Sequence, residues 1–123
     1  MKKKNFKGRC VKRTIPKCRG VCRTYNDIQY AYADVLARMA DMAEIAEFQC
    51  NVPIEVLGEE YTTDFLCVKE GGDMFVRECV SRKKLSFPQT CKLLDASRNF
   101  RARRNITDWA IVVEKEEQEN GKE

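Results

Sequence analysis

The sequence contains no histidine, and no run approaches the ~20 apolar residues that a membrane-spanning helix needs. No apolar segment follows the basic N-terminus, so this terminus does not match a secretory signal. Any zinc site has to be completed by cysteine, of which the chain has seven. An odd number of cysteines without a secretory signal indicates reduced thiols. The sequence therefore predicts a cytoplasmic protein that does not contact a membrane.

Positive charge is concentrated at one end of the chain. Residues 1–23 contain ten basic side chains and no acid, whereas the remaining residues contain 13 basic and 19 acidic side chains. We expect a basic arm at 1–23, one domain at 24–114 and a charged, disordered tail at 115–123. An arm of this charge favours binding to a polyanion, above all nucleic acid. A disordered terminus that only increases solubility would have the same composition. The candidate phosphate contacts are Lys12, Arg13, Lys17, Arg19 and Arg23 of the arm, with Arg98, Arg101 and Arg104 further along the chain.

The hydrophobic periodicity predicts helix, strand, strand, strand, helix, strand. The first helix covers about 26–42, with Asn26 or Asp27 as its N-cap. Its inward stripe is predicted to be Ile28, Tyr32, Val35, Met39 and Met42. An edge strand or bend containing Pro53 follows at 45–56.

The second helix is predicted to start at a Ser86 cap and to run to about Arg104. Leu93, Leu94, Ser97 and Phe100 are expected to face inward. The last strand, 108–113, is apolar enough to be fully buried. A hairpin followed by a crossover helix and a further strand predicts an α/β sandwich, with a mixed four-stranded sheet flanked by two helices.

The segment 60–81 contains two strand-forming runs around a Glu-Gly-Gly-Asp turn. If the hairpin is symmetric about Gly71, Leu66 faces Val76 and Asp64 faces Glu78. Opposite side chains lie about 4.5–5.5 Å apart at Cβ. Two carboxylates this close in a covered sheet favour a Mg²⁺ or Mn²⁺ site. The alternative is a structural acid pair in which Glu78 is bonded to Arg77 or Arg82.

Three segments resemble a known family. Tyr61-Thr-Thr-Asp-Phe65 is similar to the YTPDF segment in the N-terminal catalytic domain of TnsA, the endonuclease subunit of heteromeric transposases. Phe75-Val-Arg-Glu78 stands where that family has a strand ending in V-E/Q-x-K. Leu94–Phe100 and Asn105–Val113 resemble the family's helix with an aromatic residue and its W-x-I-V ending. The resemblance covers roughly 20–114 and implies the PD-(D/E)XK restriction-endonuclease-like fold.

The resemblance implies a metal-dependent DNA endonuclease of a mobile element or phage. Asp64 and Glu78 would hold Mg²⁺ (or Mn²⁺), with Gln29 at the position of the family's first-helix acid. The family's lysine position holds Val80, so Arg82 or Lys83 is the expected replacement beside the phosphate.

Two other functions stay open from the sequence. A nuclease fold without its lysine would serve as a DNA- or protein-binding module, with a regulatory or phage-inhibitor role. A zinc-stabilised nucleic-acid binder would use Cys10, Cys18 and Cys22, with one more ligand needed from Cys50, Cys67, Cys79 or Cys91. The family resemblance also implies DNA and a transposase-like complex as partners, and it leaves a homodimer open.

Overall fold

The computed structural model describes residues 10–114 of the chain, and a four-stranded sheet lies between residues 45 and 112. In chain order the elements are β1 (Val11–Arg13), β2 (Cys22–Thr24), α1 (Asp27–Asp41), β3 (Ile45–Val56), β4 (Glu59–Lys69), β5 (Met74–Cys79), a 3₁₀ helix (Arg82–Ser86), α2 (Pro88–Ala102) and β6 (Asp108–Val112). The strand order is β3-β4-β5-β6, with β5 and β6 parallel and the other pairs antiparallel. This confirms the predicted α/β architecture with a mixed four-stranded sheet and two helices.

The central hairpin has the predicted register. Leu66 pairs with Val76, and Val68 pairs with Met74. Gly72 has a φ of 101°, which glycine adopts without the steric cost that a side chain would bring. The turn sets this register, because in a hairpin the turn type and loop length fix the strand pairing. It is closed by hydrogen bonds from the Lys69 N–H to the Asp73 carbonyl (2.7 Å) and from the Gly72 N–H to the Lys69 carbonyl (2.9 Å).

Helix α1 covers one face of the sheet, but its inward residues are not the predicted ones. The buried positions are Gln29, Ala33, Leu36 and Ala40, whereas Met42 is 69% exposed. Two alanines on this face let the helix backbone lie close to the sheet, so the bulkier side chains of the predicted stripe lie at the sides of the helix or in solvent. Of that stripe, Ile28, Tyr32 and Met39 are only partly buried against the core. The predicted phase of the helix was therefore wrong by about one residue.

Helix α2 covers the opposite face. Leu93, Leu94 and Ser97 are buried as predicted. The predicted Ser86 cap is wrong, because Ser86 ends the 3₁₀ helix and its hydroxyl donates to the carbonyl of Lys83 at 3.0 Å. The N-cap position of α2 is occupied by Phe87, whose side chain makes no capping hydrogen bond.

Strand β6 lies at an edge of the sheet, which contradicts its predicted full burial. Ile111 is 39% exposed, and Trp109 is only partly buried. The parallel crossover through α2 places β6 beside β5 as the last strand, so one side of it has no neighbouring strand among residues 10–114. An apolar run of five residues could not by itself distinguish an edge from an interior position.

A short hairpin precedes α1 and is folded against the main sheet. Strands β1 and β2 are antiparallel, with Arg13 opposite Cys22. The loop between them is tied to β3, because the Arg19 N–H donates to the Phe48 carbonyl (2.8 Å) and the Phe48 N–H donates to the Lys17 carbonyl (2.9 Å). The part of the predicted arm that the structure describes is thus attached to the domain. Residues 1–9 and the predicted tail at 115–123 lie outside the described residues.

None of the helices between residues 10 and 114 has the length and apolarity needed to cross a membrane.

Asn26 is the N-cap of α1, since its side-chain oxygen accepts a hydrogen bond from the Gln29 N–H at 2.9 Å. Asn26→Ala should lower the free energy of unfolding by about 1 kcal/mol, measured by urea denaturation. Ser86→Ala is the matched control and should change it by no more than about 0.5 kcal/mol, as expected at an exposed site. A larger loss in Ser86→Ala than in Asn26→Ala would contradict this assignment of the caps.

Candidate functional site

Asp64 of β4 and Glu78 of β5 meet inside the protein, as the hairpin register predicts. The Asp64 N–H donates to Glu78 Oε1 at 3.1 Å, and the Cys79 N–H donates to Asp64 Oδ2 at 2.7 Å. Neither acid has any solvent exposure. Each carboxylate therefore accepts a hydrogen bond from a backbone N–H of the strand that carries the other acid.

Side chains from both helices complete this acid network. Gln29 of α1 donates through Nε2 to Asp64 Oδ1, and the Ser97 hydroxyl of α2 donates to Glu78 Oε2 at 3.0 Å. Ser97 Oγ in turn accepts a hydrogen bond from Trp109 Nε1 at 3.3 Å. All four carboxylate oxygens thus accept hydrogen bonds from the protein, which is the usual condition for burying a carboxylate.

The predicted metal ligand Gln29 is oriented with its amide nitrogen toward Asp64. Its oxygen accepts from the Tyr25 N–H at 2.7 Å, and its nitrogen also reaches Asn51 Oδ1 at 3.1 Å. Because the Tyr25 N–H needs an acceptor, these partners select this orientation of the amide. Gln29 reaches the acid pair, but as a hydrogen-bond donor rather than as an oxygen ligand.

Arg101 was predicted to contact phosphate, but the structure places it in the interior. It is only 5% exposed, and its Nη2 donates to Thr63 Oγ1 at 3.1 Å. Burial lowers the pKa of Arg101, and its attraction to Glu78 opposes this shift. Arg101 follows Leu94 and Ser97 at helical spacing, so its position on the inward face was readable from the sequence. Its positive charge is therefore close enough to Glu78 to attract that carboxylate.

Tyr61 belongs to the same interior region. Burial raises the pKa of its hydroxyl, and the charges of Glu78 and Asp64 raise it further. The phenol therefore stays protonated throughout the physiological pH range.

Neither predicted replacement for the missing lysine completes the site. Val80 is 2% exposed, and its apolar side chain stands at the position where the TnsA-type resemblance would place a lysine. Arg82 binds Glu114 instead, through its backbone N–H to Oε1 (2.9 Å) and its Nε to the carbonyl (3.1 Å). Lys83 is exposed on the 3₁₀ helix.

The alternative partner for Glu78, Arg77, is engaged elsewhere. Its guanidinium pairs with Asp108 at 2.9 Å and lies 4.7 Å from the centre of the Phe75 ring. The expected Glu78–Arg77 or Glu78–Arg82 pair is therefore replaced by Ser97 and Arg101, which arrive from α2.

The acid pair does not fit a magnesium ion as it stands. Mg²⁺ demands near-octahedral oxygen coordination and keeps several of its waters. Asp64 and Glu78 have no solvent exposure, and the Gln29 oxygen is engaged by a backbone N–H. These residues leave no route for hydrated Mg²⁺ in this conformation.

Several predicted phosphate contacts are engaged in ion pairs. Arg13 pairs with Asp34 and stacks on Tyr30, Lys17 pairs with Glu70 (3.2 Å), Arg19 with Glu47 (3.3 Å) and Arg98 with Asp95 (2.9 Å). These pairs lie at or near the surface, where such interactions are weak, so a phosphate could still compete for these cations. Lys12 and Arg23 are exposed on the short hairpin.

A basic surface covers the 3₁₀ helix and α2. Residues 80–107 contain eight basic side chains and one acid, Asp95. The exposed cations that we call the basic surface are Lys83, Lys84, Lys92, Arg98, Arg103 and Arg104. Three of these, namely Lys84, Lys92 and Arg103, were not among the predicted phosphate contacts, although the local charge imbalance was visible in the sequence.

A second cluster consists of three cysteine thiols. The Sγ atoms of Cys18, Cys22 and Cys50 all lie within 4.8 Å of one another. The predicted set of Cys10, Cys18 and Cys22 was wrong in one member. Because Arg13 pairs with Cys22 and Val11 with Thr24, Cys10 lies toward the other end of the hairpin. No sequence spacing links Cys50 to the other two, because only the packing of the hairpin on β3 brings them together.

The three thiols have unequal acidities. Hydrogen bonds from the Cys22 thiol and the Arg23 backbone lower the pKa of Cys50 to about 6, against the effect of burial. Burial and the neighbouring Cys50 raise the pKa of Cys18 to about 11. Cys50 is therefore the member of the cluster that loses its proton most readily.

The comparisons with known proteins assign no family, because no family model and no curated protein matches the chain.

Proposed function

We propose that the protein is a nucleic-acid-binding module, in which the basic surface contacts the phosphate backbone and the acid network stabilises the fold. The observation that carries this proposal is the basic surface, whose six exposed cations lie in a segment, 80–107, that contains one acid. Clustered cations on one element are the electrostatic footprint of phosphate contacts. The resemblance of the central hairpin to a TnsA-type nuclease domain supports nucleic acid as the class of partner.

Burial of the acids supports a structural role for them. A scissile phosphodiester would have to reach Asp64 and Glu78, which have no exposed surface. Their oxygens are instead occupied by donors from both helices and from the sheet. A satisfied polar network of this kind fixes the relative positions of α1, the hairpin and α2.

The test is the affinity of the full chain for a duplex oligonucleotide at a series of salt concentrations. Fluorescence anisotropy should show log K falling linearly with log salt, because each neutralised phosphate releases about 0.9 of a counterion on duplex DNA. An affinity that does not change with salt, or the absence of binding at low salt, would contradict the proposal.

A second candidate function is the metal-dependent endonuclease. One observation favours it, namely that Gln29, Asp64 and Glu78 converge from the elements that the nuclease resemblance requires. This function requires the acid network to open, so that Gln29 and Ser97 release the carboxylates. Arg101 would then be the cation nearest to the acids, in place of the missing lysine.

A further inference from the structure

The chain holds Cys18, Cys22 and Cys50 in one place through backbone contacts. Cys18 lies in the β1–β2 loop and forms an isolated parallel bridge with Phe48, two residues before Cys50. Lys17 and Gly20 flank it with φ values of 69° and 77°, a left-handed conformation that curves the loop back toward β3. Cys22 is fully buried at the start of β2. The positions of the three thiols therefore depend on how the loop is bonded to β3.

The surroundings of Cys50 suit a metal-bound thiolate. The Arg23 N–H points at Cys50 Sγ across 3.4 Å, and the Asn51 side chain bonds the Arg23 carbonyl at 2.7 Å, which holds this donor in position. Arg13 acts electrostatically on Cys22, and Arg19 and Arg23 are close along the chain. When a metal ion binds, it displaces the protons of the three thiols and leaves three negatively charged sulfur atoms. The nearby cations and the N–H donor offset part of this negative charge.

We propose that Cys18, Cys22 and Cys50 bind one zinc ion through three thiolates, leaving the fourth coordination position open to water or another small ligand. Zinc accepts tetrahedral sulfur coordination at about 2.3 Å, and three sulfur atoms 4.8 Å or less apart can converge on one such ion. Soft thiolates select against Mg²⁺ and Ca²⁺. Residues 1–9 contain no cysteine, histidine or acid, so they offer none of the usual side-chain ligands for the fourth position. The bound zinc would fasten the basic hairpin to β3.

The first test is the zinc content of the full chain, purified with reductant and loaded with zinc, then desalted and measured by mass spectrometry. We expect one zinc per chain for the wild type. Cys50→Ser, Cys18→Ser and Cys22→Ser should each lose it. Cys10→Ser and Cys91→Ser are matched controls outside the cluster and should keep it. Loss of zinc in Cys10→Ser, or its retention in Cys50→Ser, would overturn this ligand set.

If the serine variants do not fold, X-ray absorption spectroscopy of the zinc-loaded wild type identifies the atoms that coordinate the ion. Three sulfur neighbours and one lighter neighbour are expected around each ion. Four sulfur neighbours, or a shell of oxygen alone, would overturn it. Absence of zinc together with a disulfide joining Cys22 to Cys50, found by mass mapping of the alkylated protein, would also overturn it. The test is independent of the nucleic-acid proposal, because it uses no nucleic acid.

Discussion

Replacing Arg101 with methionine should lower the free energy of unfolding by about 3–5 kcal/mol. Arg101 is the buried cation that faces Glu78, and it also donates to Thr63. Methionine keeps much of the side-chain volume but leaves a buried carboxylate without its compensating charge, which costs more than the loss of a surface ion pair. The measurement is urea denaturation followed by circular dichroism.

The matched control is Arg104→Met. This guanidinium lies 3.6 Å from the centre of the Phe100 ring and is exposed, so its loss should cost no more than about 1 kcal/mol. The double variant Arg101→Met, Glu78→Gln should be more stable than Arg101→Met alone. The second substitution removes the negative charge whose compensation by Arg101 has been lost. Equal stabilities for the double variant and Arg101→Met would show that Arg101 acts by packing and not by charge.

The triple variant Lys83→Gln, Lys84→Gln, Arg103→Gln should bind duplex DNA roughly 10²-fold more weakly than the wild type at ~0.1 M salt. Each lost phosphate contact should lower the slope of log K against log salt by about 0.9, so the slope should fall by about 3 if all three residues contact phosphate. These side chains are exposed on the 3₁₀ helix and at the end of α2, so the fold should be preserved. Anisotropy titration at several salt concentrations provides both quantities.

A second triple variant controls for net charge. Lys17→Gln, Arg19→Gln, Arg38→Gln removes three exposed cations outside the basic surface. Lys17 and Arg19 were predicted phosphate contacts, but they pair with Glu70 and Glu47, so a phosphate would first have to displace those carboxylates. This variant changes net charge equally and should weaken DNA binding much less. Equal losses of affinity in the two triple variants would mean that net charge, not the basic surface, determines binding.

The sequence predicted the sheet better than it predicted the helices. The Glu-Gly-Gly-Asp turn, taken as symmetric about Gly71, defined the hairpin register, and this register brought Asp64 and Glu78 together. The phase of α1 was not determined in the same way, because apolar residues occupy more than one side of that helix. Packing on the sheet selected Ala33 and Ala40, which permit close approach, over the larger Val35 and Met42.

The missed parts of the two clusters depend on contacts between distant segments. Arg101 was predicted to contact phosphate together with the neighbouring arginines. Its spacing from Leu94 and Ser97 indicates the inward face of α2, but its contacts with Thr63 and Glu78 depend on how α2 docks on the sheet. Cys50 joined Cys18 and Cys22 because the β1–β2 loop pairs with Phe48. Neither contact follows from local periodicity, since each is set by how one element packs on another.

We propose that the protein binds nucleic acid and that its acid network is structural. The most direct measurement is a gel of supercoiled plasmid incubated with the full chain and either Mg²⁺ or Mn²⁺, beside the same reactions with Asp64→Asn. We expect retarded but uncut plasmid with both proteins. Nicking or linearisation by the wild type that disappears in Asp64→Asn would rule out a purely structural acid network and establish the endonuclease.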